Sequence, residues 1–140
     1  MSGLAAVLAG RAGPGIYRWH GAFVPGEVRH AVEHAGRRFA YVDGWAHQTK
    51  PEFLAAVGRA LDFPGYYGEN FDALADCLLD VTDETVLLWD GWGPFARAEP
   101  QAFSVALSVF GTRVNAEREG GFTVLLRGEG PDPDGVPSLD

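Results

Sequence analysis

Hydrophobic residues along this chain fall into two patterns: short unbroken runs, and longer stretches where they recur at helical spacing. Three runs stand out. RFAYVD (Arg38 to Asp43), ETVLLW (Glu84 to Trp89) and the stretch Phe122 to Leu126 are rich in aliphatic, aromatic and β-branched residues, and glycines follow closely at Gly44, Gly91 and Gly128. Such runs predict strands, the latter two buried on both faces. Between the first two, Phe53, Leu54, Val57 and Leu61 sit at core spacing for a helix, with Thr49 as N-cap, Pro51 near the first turn and Phe63-Pro64-Gly65 as the stop. A second helix of about ten residues follows Asn70, itself a good N-cap; at 100° per residue Phe71, Leu74, Ala75, Cys77, Leu78 and Val81 fall on one side. A long helix is predicted from Pro100 to about Glu119, offering Phe103, Val105, Ala106, Leu107, Val109, Phe110 and Val114 to the core before Gly120-Gly121.

Upstream, Met1 to Gly15 predicts a short helix carrying Leu4, Val7 and Leu8, Ile16 to Trp19 a short strand, and Glu27 to Ala35 a helix with Val28, Ala31, Val32 and Ala35 inward and Gly36 as C-cap. Residues after Gly128 are rich in Pro, Gly and Asp and predict an irregular tail. The central order is strand, helix, helix, strand, helix, strand. Helical crossovers between short buried strands predict an α/β fold with a small three-stranded parallel sheet packed with helices. The N-terminal strand and helix are an addition to that unit, for which a sheet edge is one place.

Charge changes this picture at one place. The helix after Asn70 carries Asp72, Asp76 and Asp80 at i, i+4, i+8 opposite its apolar side, with Glu69 in front of them. Like charges at that spacing cost about 0.2–0.5 kcal/mol per pair on an isolated helix. The helix dipole compensates Asp72 in the first turn, but not Asp76 or Asp80. Between Ala60 and Ala96 lie eight acidic residues (Asp62, Glu69, Asp72, Asp76, Asp80, Asp83, Glu84, Asp90) and no Lys, Arg or His. The chain has 19 acidic and 11 basic residues, so the remainder holds 11 of each sign and the net charge of −8 resides in this one stretch. An acidic face can be merely solvated; concentrated like this, it suits a cationic partner and repels nucleic acid.

Other chemistry is sparse. At 46% hydrophobic and 21% charged the composition is that of a soluble globular chain. The single Cys77 excludes an internal disulfide and suits packing in a reducing compartment, the cytosol. The N-terminus has no basic residue before its short apolar run, so no secretory leader is expected, and no run approaches the length of a membrane helix. His30 and His34 stand at i, i+4 without a third ligand nearby, so no metal is expected. No nucleotide-binding, nucleophile-elbow or CxxC motif occurs, and paired carboxylates on a helix face lack the cleft that glycoside hydrolysis needs. The chain is expected to be neither an enzyme nor a cofactor binder.

The stretch YYGENFDALADCLLD, from Tyr66 to Asp80, closely resembles the core motif of the barstar-related family, intracellular inhibitors of barnase-type ribonucleases. The resemblance extends over VDG at Val42 to Gly44, the helix from Pro51 to Leu61, the strand ending at Trp89 and the last helix and strand, about Arg37 to Arg127. It implies a barstar-like domain at 37–127, an N-terminal extension at 1–36 and a tail at 128–140. It also implies a way of working, in which the acidic helix and its preceding loop cover a nuclease active site. The key carboxylate matches Asp76, standing where a substrate phosphate would lie among the nuclease's cationic groups; the second acidic contact matches Asp72 and the aromatic contact Tyr66, with Gly68 and Asn70 in the contacting loop. Glu69, Ala75 and Asp80 complete the expected surface. Three positions depart from the family: Ala75 replaces a Trp, Val81 replaces a contact aromatic, and Thr112 aligns with a third acidic contact. The expected partner is a basic ribonuclease or a ribonuclease-toxin domain for which the chain is the immunity protein; the competing expectation is a non-inhibitory interaction module binding another cationic partner.

Overall fold

The computed structural model describes residues 3–139, and in it the hydrophobic runs become the parallel strands of one sheet. Of the expected first helix and tail, Met1, Ser2 and Asp140 lie outside the described residues. In chain order the elements are α1 (Gly3–Leu8), β1 (Ile16–Arg18), α2 (Pro25–His34), β2 (Arg38–Asp43), α3 (Lys50–Ala60), α4 (Phe71–Leu79), β3 (Thr85–Asp90), α5 (Gly93–Ala98), α6 (Pro100–Val114) and β4 (Phe122–Arg127). The strand order is β1-β4-β3-β2. In register, Leu87 stands beside Ala40 on one flank and Val124 on the other.

This sheet has four strands, which corrects the three-stranded expectation. The fourth is β1, whose Ile16, Tyr17 and Arg18 pair with Val124, Leu125 and Leu126. Its backbone satisfies hydrogen bonds that β4 would otherwise expose as an open edge. The tail contains no regular element, yet it is bonded to the far side of β1: Arg18 N–H donates to the Pro137 carbonyl (2.9 Å) and Leu139 N–H to the Arg18 carbonyl (2.8 Å).

The strand period of two sorts side chains onto two faces. Ala40, Val42, Leu87, Trp89, Phe122, Val124 and Leu126 point to the face covered by α3, α4, α5 and α6, where Phe53, Leu74, Leu78, Phe95 and Phe110 complete the larger core. Phe39, Val86, Leu88 and Leu125 point to the opposite face, and the N-terminal residues Leu4, Val7, Trp19, Val28 and Val32 bury them. Residues before Arg37 thus supply most of the second layer as well as an edge strand, and Leu139 of the tail packs against them.

Between β3 and β4, where one helix from Pro100 is expected, an additional helix, α5, precedes it. Pro94 opens α5 and Pro100 opens α6, each within a first turn, where a missing N–H is tolerated. The second ends at Val114, short of Glu119. Its buried row is Phe103, Ala106, Phe110 and Arg113. Val105, expected in the core, lies about 200° around the helix from Phe103 and is exposed.

Candidate protein-interaction site

The acidic helix forms as its sequence predicts, and its neighbours hold both of its ends. Asn70 is extended, and its side-chain oxygen accepts from Ala73 N–H at 2.8 Å, capping the first turn. At the other end the Arg113 guanidinium of α6 donates to the carbonyls of Leu78 (2.9 Å) and Val81 (2.7 Å), and also to Gly120 (2.9 Å). The first two lie at the C-terminal end of α4, where no further turn follows; Leu78 also accepts from Val81 N–H at 3.1 Å. Arg113 is buried, and its ring contact is the face of Phe122 at 5.6 Å. Burial pulls its pKa down, Arg118 adds to that, and Glu84 partly opposes it. Sequence reasoning missed this residue. The signal was its position three residues after Phe110 on the apolar stripe of α6.

Between these caps, Leu74, Cys77 and Leu78 face inward and Phe71 is half-buried. Asp72 and Asp76 are exposed on α4, and Asp80 is exposed at its C-cap. The ion pairs among the described residues are Arg18–Asp132, Arg29–Glu33, Arg37–Glu84 and Arg127–Asp90, and none draws on Glu69, Asp72, Asp76 or Asp80. The row therefore has no internal counter-ion. The fold does bring cations to its margins that the sequence stretch lacks. Lys50 lies over the Phe71 ring at 5.1 Å, and Arg38 donates to the Leu61 carbonyl at 2.7 Å. Arg38 shares a notch of about 200 Å³ with Phe63, Tyr66, Cys77 and Asp80. Burial, then Asp80 and Asp76, push the Cys77 thiol pKa up, which disfavours the reactive thiolate.

The preceding loop is anchored through one tyrosine and presents the other. The Tyr67 hydroxyl donates to the Leu54 carbonyl at 2.9 Å, and its ring meets Phe63 edge-on at 4.9 Å. Gly58 makes room for it, because a Cβ there would come within 2.7 Å of the ring. Burial, with smaller contributions from Cys77 and Glu69, raises the Tyr67 pKa. Tyr66 beside it is 79% exposed. The left-handed residue of the loop is Glu69, at φ 53°, and not Gly68. A non-glycine residue there stores strain of order 1 kcal/mol or more, which the Asn70 cap and the Tyr67 anchor hold in place. Gly68 matters for space instead, since a Cβ would stand 3.1 Å from the Asn70 amide nitrogen.

The structure thus gathers Tyr66, Gly68, Glu69, Asn70, Asp72, Asp76 and Asp80 along one helix and its entry loop, with Ala75 half-buried beside them. Thr112 is on α6, exposed, with its hydroxyl returned to the Ser108 carbonyl at 3.0 Å. His30 and His34 are exposed and stack on each other at 6.1 Å between ring centroids. Among the described residues no cluster of His, Cys, Asp and Glu has the makings of a metal site, and no helix is long and apolar enough to cross a membrane.

A family model described as Barstar (barnase inhibitor) matches residues 37–127, which takes in β2 through β4 and every residue of this surface. No curated protein matches the chain.

Proposed function

The chain belongs to the barstar family, and from that premise we propose that it is a ribonuclease inhibitor of the immunity-protein type, acting in the cytosol and itself without catalytic activity. Its acidic helix and entry loop cover the cationic active site of a basic ribonuclease or ribonuclease-toxin domain. One observation carries the reading: Asp72, Asp76 and Asp80 stand in an exposed row with no internal counter-ion, on a helix fixed at both ends. Such a row costs the fold like-charge repulsion, which the helix dipole offsets only at Asp72. Against a nuclease, Asp76 supplies carboxylate oxygens where a phosphate would lie, Asp72 adds a second charge, and Tyr66, Gly68, Glu69 and Asn70 shape the rim. Charge-assisted hydrogen bonds in a desolvated pocket provide affinity, and the acidic field steers encounter.

A second reading has an observation of its own. Ala75 offers no ring where the family has a Trp, and Val81, at another contact-aromatic position, is buried at 5% exposure. Loss of both aromatic contacts favours a partner other than barnase itself, including a cationic protein that is not a nuclease.

Affinity capture from cell lysate with wild type and Asp76→Ala, followed by ribonuclease assays on what only the wild type retains, tests both. The expected result is a captured ribonuclease inhibited by wild type. Inhibition by Asp76→Ala should weaken by about 2–5 kcal/mol, a magnitude drawn from interfaces that include a member of this family. Added salt should slow association. Equal inhibition by Asp76→Ala would sink the phosphate-mimic mechanism. A captured partner without ribonuclease activity would favour the interaction module.

A further inference from the structure

The carboxyl ends of the strands hold a second feature, which shares no residue with the acidic helix or its loop. Chain leaving β1 passes to α2 on one face of the sheet, while chain leaving β3 passes to α5 and α6 on the other. Between β1 and β3 lies β4. Connections that part to opposite faces open a crevice beyond the carboxyl ends of parallel strands, which is where open α/β sheets take their ligands.

Here the crevice has a volume of about 670 Å³, and Arg18, His20, Arg97 and Arg127 line it together with Gly128 and Gly130. A basic lining is unexpected on a chain of net charge −8. Arg127 is held rigid by Asp90, with 2.8 Å contacts from both Nε and Nη2. Arg18 pairs with Asp132, a carboxylate 88% exposed, in a surface ion pair that an incoming anion can displace at little cost. The side chains of Arg97 and His20 have no partner among the described residues, and the backbone N–H groups of Gly128, Glu129 and Gly130 donate to none of them. Gly128, at φ 113°, has a backbone conformation that a side chain would strain. The Glu129 carboxylate is the opposing charge on the wall.

We propose that this crevice binds a small phosphate monoester, with Arg97 as its free cationic donor, His20 as a further hydrogen-bonding group, Arg18 joining them, and the Gly128–Gly130 backbone alongside. Arginine forks and free backbone N–H groups match the several oxygens of a phosphate better than the two of a carboxylate. The volume exceeds what a bare phosphate fills and leaves room for the group that carries it.

Isothermal titration at constant ionic strength, with inorganic phosphate and with adenosine monophosphate as probes, tests this directly. Both should bind where chloride does not, the monoester more tightly. Arg97→Ala should weaken both by about tenfold or more, Glu129→Gln should tighten both, and Arg118→Ala, a surface arginine elsewhere, should change neither. Thermal melts of Arg97→Ala should match wild type. Heats no different from chloride, or Arg97→Ala binding both probes like wild type, would overturn the assignment. Neither result bears on ribonuclease inhibition, which rests on the acidic helix alone.

Discussion

Asp90 and Asp76 are the same residue type in the same cation-free stretch of sequence, and the fold treats them in opposite ways. Asp90 ends β3 at 4% exposure. Both its oxygens accept from Arg127 at 2.8 Å, and Tyr41 donates a longer bond of 3.3 Å. Arg127 spends its remaining reach on the carbonyls of Gly21 (3.1 Å) and Phe23 and on the face of Trp19 at 5.3 Å. Through these bonds Arg127 adds to the β1 ladder and the second core in tying the N-terminal layer to the sheet. Burial first, then the charge of Asp90, push the Tyr41 hydroxyl up to about 12. Asp76 has no such surroundings: it is exposed and unpaired, on a helix whose caps hold whether or not the charge is there. A charge that the fold has fully paired serves the fold, and a row of charges left unpaired on a rigid element is free to serve a partner.

The comparison can be broken most forcefully at Asp90. Asp90→Ala leaves the partly buried Arg127 guanidinium without its carboxylate, which should cost up to about 3–5 kcal/mol of stability. Denaturant melts would measure it, and a loss below 1 kcal/mol would show that the pair is not structural. Arg113→Met is next. It keeps the apolar volume but strands the carbonyls of Val81 and Gly120 and leaves Leu78 only its backbone bond from Val81 N–H, so stability should fall by about 1–3 kcal/mol. Hydrogen exchange should rise at the C-terminal turn of α4 before it rises in the sheet; uniform loosening would refute the cap. Asn70→Ala removes the N-cap and should cost about 1 kcal/mol. Because the same cap fixes the strained Glu69, binding should weaken beyond that amount if the loop is part of the interface. The smallest effect on stability belongs to Asp76→Ala. Relieving repulsion with Asp72 and Asp80 should leave the melting temperature unchanged or raise stability by about 0.2–0.5 kcal/mol per pair. A clear drop in melting temperature would mean that Asp76 serves the fold after all.

Much of the candidate site was legible in the chain because its determinants are local. Asn70 as cap, the inward set of Leu74, Cys77 and Leu78, and the outward row of Asp72, Asp76 and Asp80 all follow from helix period and capping chemistry within about a dozen residues. The extent of strands β2, β3 and β4 was legible for the same reason, to within a residue or two of each end. Two local features turned on tertiary contacts. Glycine takes a left-handed conformation at least cost, yet in this loop Glu69 adopts it beside Gly68, on a path held by the Tyr67 anchor on α3. Val105 looked like core, but the direction of the α6 stripe, set by Phe103 and Phe110 against the sheet, turns it to solvent and turns Arg113 inward.

By itself the sequence determined the strands and every helix but α5, that one helix carries a carboxylate row opposite an apolar face, and that the chain's excess charge is concentrated around it. These depend on spacing along the backbone, which a sequence states outright. Only the tertiary structure decided that β1 closes the β4 edge as a fourth strand, that residues before Arg37 bury the second face, that Arg113 holds the end of the acidic helix, and that Arg18, His20, Arg97 and Arg127 meet in one crevice. Those pairings join residues far apart along the chain, Arg18 and Arg127 by 109 positions. Which distant groups meet is set by how layers pack and where crossovers run, and no local period records that.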